Sequence, residues 1–464
     1  MPLILGTNSI KDTGYDVANS CRFNSGSSDH LTRSLGASET STRIATWSFW
    51  VKRGNLGSYN IYSNEVEDDN NRGYFQFNAD QLRMVDEAGT GTELKATQVF
   101  RDVSAWYHIV IAMDTTQSTS TNRVKWYVNG NQISIDATTT FPPQNTDQKI
   151  LIGGQTNKNH IGKIHPSGGE FDGYFAEFVF IDGQQLAPDQ FGEFDDDSGI
   201  WKPIDVSGLT FGNNGFYLDF ESSGSLGNDV SGNDNDFTAN NLTAIDSVSD
   251  VPTNNFATLN PLDNYYASST FSEGNLKIVT NGSAIIYNTS TIGFSSGKWY
   301  MEVKVSSNVR YVVGVVRGVA TANDNGNKLG NRSDGWGYDY RGLVENNGSD
   351  LGGSFASYTS GDIIGIYADL DNNELYFSKN GTLQNSGTGL TLTAGTYFFA
   401  LGNNHTSESS TLEANFGSPP FSISSGNTDA NGYGNFEYDP SSGTFDSASK
   451  DFLSLNTKNL AEYG

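Results

Sequence analysis

Two acidic stretches hold residue types suited to general acid–base chemistry: Asp369, Asp371 and Glu374 in DLDNNE, and Glu193, Asp195, Asp196 and Asp197 in EFDDD. Two carboxyl groups about 5 Å apart on one strand face can cleave a glycosidic bond with retention. Neither stretch offers that arrangement. In EFDDD the third acid follows too soon. In DLDNNE the Asp-Asn-Asn run is turn chemistry, which puts the acids at a hairpin end rather than on a concave strand face. Five histidines, His30, His108, His160, His165 and His405, are scattered, and none stands at zinc-site spacing from cysteine partners. No phosphate-binding P-loop occurs. Asp229, Asp234 and Asp236 in DVSGNDND suggest a calcium loop, but the Gly and distant Glu of an EF-hand do not follow them. The chain therefore reads as non-catalytic: no catalytic residue is assigned and no cofactor is expected, with calcium left open.

Binding chemistry is better represented. In GWGYDYR, Trp336, Tyr338 and Tyr340 alternate and would share one face of a strand, with Arg341 on the other. Aromatic rings stack on sugars or anchor protein partners, so these four residues form the candidate ligand site. The same stripe is also the pattern of a core strand, and both readings stand. Trp47 and Trp50 read as core.

Such residues must be positioned by strands. Residues 361–381, GDIIGIYADLDNNELYFSKNG, read as strand, tight turn, strand and a closing Asn-Gly turn. Residues 106–130 echo this plan: the strand WYHIVIAM, an Asp at its end, a Thr/Ser-rich stretch, then VKWYV and Asn129-Gly130. Two domains of one design would produce the echo. The composition agrees, with 52 Gly, 12% aromatic and only 17% charged residues, which suits short strands and many turns. No amphipathic helix of three turns is evident; the best candidate, 188–194, is short.

A net charge of −26 without a basic stripe repels nucleic acid and disfavours anionic membranes. No apolar run is long enough to span a bilayer, so membrane insertion is not expected. The single cysteine, Cys21, reads as a small buried hydrophobe. Only Leu3-Ile4-Leu5 is apolar near the start, too little for a signal peptide, so synthesis and assembly in a cytosol is expected.

The chain divides into an N-terminal arm (1–17), a first domain (18–200), a connector (201–265), a second domain (266–420) and a tail (421–464). The connector is expected to be a loose, turn-rich tether, and the tail largely irregular with one anchored segment. In order, WSFWVKRG, WYHIVIAMD, VKWYVNG, ILIGG and FDGYFAEFVFIDGQQLAPDQF make the first domain resemble the laminin-G-like branch of the concanavalin A-like jelly rolls. In that family calcium and glycans often bind at one rim. Asp114 lies at such a position, although a turn role explains it more simply. The Glu-x-Asp-x-x-Glu strand of the laminarinase-type glucanases of the same superfamily is missing. The second domain, with GKWYMEV, VVGVV, GWGYDY, the 361–381 hairpin, YFFALG and EANFG, resembles SPRY domains, adaptor sandwiches whose loops at one end bind partners. The expected fold is thus all-β, two concanavalin A-like jelly-roll sandwiches on a Gly/Asn/Ser-rich connector.

The pairing of modules, the opening MPLILGTNSIKDTGYDVANSCRF and the ending NTKNL resemble virion structural proteins of tailed bacteriophages. That resemblance implies a tail-fibre, receptor-binding or surface adhesion protein, assembled in the host cytoplasm as a homo-oligomer within the virion. Its partners would be host glycans or other virion proteins. A capsid or tail decoration protein and a polysaccharide depolymerase are the alternatives.

Overall fold

A computed structural model describes residues 10, 12–35, 38–65, 72–86, 91–152, 158–164, 169–263, 269–307, 310–318 and 327–464. Most of the expected N-terminal arm, and His165, lie outside them. The chain is nearly all β and forms two compact units, Thr13–Thr253 and Asn254–Gly464. Each is a sandwich of two antiparallel sheets around an apolar core.

In the first unit the hairpin Trp106–Asp114/Val124–Val128 lies beside Ile44–Arg53, which pairs in turn with Gly173–Asp182. In the second, Ile363–Asp369/Glu374–Lys379 lies beside Lys298–Val305, which pairs with Thr411–Asn415. The strand order is the same, and so is the turn. The Asn129 side chain accepts from His108 N at 2.8 Å, and that of Asn380 from Ile363 N at 2.9 Å. Both asparagines are left-handed, at φ 46° and 48°, and the glycines after them at 77° and 75°. The left-handed region is costly for residues with a Cβ, Asn least among them, which is why Asn-Gly occupies both turns.

The connector corrects the expectation of a loose tether. Phe216–Leu218 pairs with Gly173–Asp182, Thr238–Asn240 with His30–Ser34, and Ser247–Val248 with Ser20–Phe23. Residues 201–253 also cover the outer face of the hairpin-bearing sheet. Val248 and Val251 pack on Trp50, Trp106 and Tyr174, and Val206 and Phe211 on Val110, Val179 and Ile181. Lys52 Nζ meets Asp250 Oδ2 at 2.7 Å with both side chains buried. Covered on both sides, the strand GYFAEFVFID is buried throughout, which accounts for an apolar run that only Glu177 interrupts before Asp182. A bulge between Ala176 and Val179 turns Glu177 to φ 48°.

The tail does the same for the second unit. Phe436, Phe445 and Phe452 pack on Tyr300, Tyr367 and Tyr376. Leu453–Ser454 adds a parallel strand beside Lys298–Val305, and a helix follows at Thr457–Tyr463. NTKNL is a lock. Asn456 caps that helix by accepting from Asn459 N at 2.9 Å, Asn459 Nδ2 donates to Asp429 Oδ2 at 2.8 Å, and Leu460 enters the core.

Two local expectations also change. The stretch 149–154, with ILIGG, reads in the sequence as a strand of the first domain, but Lys149–Leu151 is a single 3₁₀ turn, and Gly153 and Gly154 lie outside the described residues. The turn's backbone is held by side chains instead: Lys149 N donates to Asp86, and Asn64 donates to Lys149 O and Ile152 O. Pro188–Gln190 is one 3₁₀ turn, followed by the short strand Gly192–Phe194.

Candidate binding rim of the second sandwich

The strand Gly335–Asp339 alternates as its sequence predicts, but the aromatic face turns inward. Trp336 and Tyr338 are 3% and 0% exposed and belong to the core. Trp336 meets Tyr397 edge-on at 5.8 Å, and Tyr338 sits among Phe355, Tyr358 and Phe377. These two rings set the strand; they do not face solvent.

Tyr340 and Arg341 lie beyond the strand end, where the chain turns. Gly342 N returns to Asp339 O at 3.0 Å, and Gly342 takes φ 90°. The Asp339 carboxylate is wholly buried and accepts Arg341 N at 2.9 Å, Arg341 Nε at 2.9 Å, Arg341 Nη2 and Asn404 Nδ2 at 3.1 Å. The hydrogen bonds to Asp339 raise the Arg341 guanidinium above its ordinary range. The Arg341 side chain remains 45% exposed, so its Nη1 pair and one Nη2 hydrogen point away from the anchor. Tyr340 is half-buried, edge-on to Tyr311 at 6.1 Å, and the Arg341 guanidinium lies 5.8 Å from its ring centre. Asn404 N bonds Arg310 O at 2.8 Å, which brings a second arginine alongside. Of the four predicted residues, the rim joins Tyr340 and Arg341 and leaves Trp336 and Tyr338 as their support. Asp339 was not singled out in the sequence, although an aspartate can bond its own backbone two residues on, as it does here to Arg341 N. Asn404 and Arg310 carried no local signal, because only strand pairing brings them near.

The constellations that resemble catalytic sites are each occupied internally. Lys450 Nζ bridges Asp369 Oδ2 at 2.9 Å, Glu374 Oε2 at 2.6 Å and the Tyr376 hydroxyl at 2.6 Å. Asp371 turns instead to Gly297 N at 2.8 Å and Lys298 Nζ at 2.7 Å. In EFDDD, Asp195 caps Ser198, and Glu193 pairs with Lys202 at 3.3 Å. Ser48 Oγ lies 2.8 Å from His108 Nε2, the spacing of a nucleophile and its base. However, Trp201 Nε1 donates to His108 Nδ1 at 3.0 Å. The neutral imidazole then carries its hydrogen on Nε2 and donates to Ser48, so it cannot take the serine proton. Burial lowers this histidine to about 3.

Asp114 accepts from Thr116 and Gln117, and Asp229 from the backbone of Tyr217, Ser231 and Asn235. Among the described residues no three His, Cys, Asp or Glu side chains converge to hold a metal. Cys21 is a buried free thiol.

These folds agree with known families. Residues 25–187 match the concanavalin A-like lectin/glucanases superfamily, and residues 298–415 match the SPRY domain. The chain thus combines a concanavalin A-like domain with a SPRY domain. It matches no curated protein. Among solved structures it is similar to the SPRY domain of human HERC1, at 18% identity over 34% of this chain and 96% of that one, with a TM-score of 0.29. A heptameric SAP-like pentraxin from Limulus polyphemus matches at 16% identity over 38% and 81%, TM-score 0.28. A putative carbohydrate binding protein from Bacteroides ovatus matches at 14% identity over 49% and 59%, TM-score 0.33.

Proposed function

We propose that this chain is a non-catalytic attachment protein of a tailed-phage virion surface, with the Tyr340–Arg341–Asn404 rim as a contact point for an acidic partner. The observation that carries the binding role is the buried Asp339 carboxylate, which fixes an arginine with donors directed outward. An arginine fork held this way is preorganised for a carboxylate, and Tyr340 supplies a ring beside it. Arg341 is paired with Asp339 and Arg310 with Glu408 at 3.9 Å, so the rim offers outward donors rather than a net positive charge. A glycan bearing uronic or sialic acids, or an acidic face of a neighbouring virion subunit, has the matching chemistry. The non-catalytic reading is supported by acids that are paired with lysines or engaged in turns. The virion setting is supported by the resemblance of the two-module order, the opening and NTKNL.

The test is binding of the purified chain to an array of acidic and neutral glycans, alongside particle adsorption. Arg341→Ala should weaken acidic-glycan binding or particle adsorption at least tenfold, and Tyr340→Ala several-fold, with both effects reduced in high salt. Undiminished binding by Arg341→Ala would remove the rim from the function. Sustained release of reducing sugar from host polysaccharide would make the chain a depolymerase. Particles that lose integrity but not adsorption without it would make it a decoration protein.

A further inference from the structure

A second site lies away from the rim, within the Asn254–Gly464 unit. A cleft of about 380 Å³ opens between the Gly297–Lys298 turn, the hairpin turn at Asp371, the loop at Asn431, the segment 449–453 and the last helix. Its size falls at the lower end of the roughly 300–1,000 Å³ of small-ligand clefts. We propose that this cleft binds one neutral sugar ring.

The electrostatics decide the ligand class. Lys298 is neutralised by Asp371 at 2.7 Å, and Lys450 by Asp369 and Glu374. All three ammonium hydrogens of Lys450 are engaged, by Asp369, Glu374 and Tyr376. An anion therefore finds no free cation, and among the described residues no three carboxylates converge there to hold a metal ion. What remains is a mixed set of donors and acceptors. Lys298 and Asp371 present a donor and an acceptor side by side, as adjacent hydroxyls require. Asn431 donates its amide to Asn459 at 2.7 Å, which leaves its carbonyl oxygen available. Ser449 and Asp451 line the same cleft and are exposed. Tyr463, 41% exposed, gives an aromatic wall on which the apolar face of a pyranose can lie. A hydroxyl-rich neutral ring meets every one of these features.

The proposal rests on the reading of the chain as a binding protein, but it uses none of the rim residues. Its test is titration of the full chain, by calorimetry and saturation-transfer NMR, with the methyl glycosides of glucose, galactose, mannose and N-acetylglucosamine. Calcium chloride and sodium phosphate are titrated in parallel. At least one glycoside should bind, insensitive to salt. Asp451→Ala and Tyr463→Ala, both at exposed positions, should each weaken it tenfold or more without moving Tm. Arg341→Ala should leave it unchanged. The proposal is overturned if no glycoside of the panel binds, if both cleft variants bind as the parent does, or if calcium or phosphate binds with the same sensitivity to them. Loss of sugar binding in Arg341→Ala would also overturn it, by assigning that binding to the rim. Failure of the rim alone would leave the cleft result standing.

Discussion

At the scale of single residues, two buried glutamates carry a pH signature. Burial raises both Glu177 and Glu302 to about 7. Glu302 accepts from Tyr438 N at 2.7 Å, Glu437 N at 3.0 Å, Asn415 Nδ2 at 3.0 Å and the Tyr300 hydroxyl at 3.1 Å, so it fastens the tail to the sheet. Glu177 accepts from the Tyr217 hydroxyl at 2.5 Å and that of Tyr15 at 3.3 Å. A carboxyl whose folded pKa exceeds its unfolded value gives stability that is fully present below the unfolded pKa. That stability is lost as pH rises through the folded one. Urea unfolding should therefore show stability falling between pH 5 and pH 8, by on the order of 2–3 kcal/mol per glutamate. Glu302→Gln should flatten the part belonging to the second unit. An unchanged slope in that variant would show that Glu302 does not titrate there.

At the scale of elements, the repeated hairpin makes a paired prediction. Asn129 and Asn380 each combine a left-handed backbone with a side-chain bond to the partner strand, at His108 N and Ile363 N respectively. Replacing either by Ala should cost about 1–2 kcal/mol, with similar losses at the two sites in thermal unfolding. A large loss at only one would mean the two turns are not equivalent. This element was legible because its signal is local: an Asn-Gly pair after an alternating strand fixes both turn and register. The aromatic stripe of Trp336 and Tyr338 was legible as a strand but not as a face, since period-two alternation is the same whether the stripe meets core or ligand. Of the covering segments only the anchored part of the tail was legible, where Phe452, Leu453 and Leu455 pack back. Residues 222–240 are mostly Gly, Ser, Asn and Asp, and their order comes from bonds such as Asp229 to Ser231 and Asn235, and Asn233 and Asn235 to Gly215 O. Composition gives no hint that such a stretch has a sheet beneath it.

At the scale of the molecule, each folding unit is larger than its family match. Residues 25–187 and 298–415 delimit the recognisable sandwiches, whereas the compact units run over Thr13–Thr253 and Asn254–Gly464. A fragment spanning 13–253 should fold cooperatively by circular dichroism and thermal melting. One spanning 18–200 should aggregate or lack a sharp transition, because it strips Val206, Phe211, Val248, Val251 and the Asp250 partner of Lys52 from an apolar face. Equal melting of the two fragments would show the cover to be dispensable. The cover also restricts how either unit can be engaged. A sheet roofed by its own chain is closed to visitors from that direction, so recognition falls to loop ends and clefts, where side chains can diverge without disturbing the β scaffold.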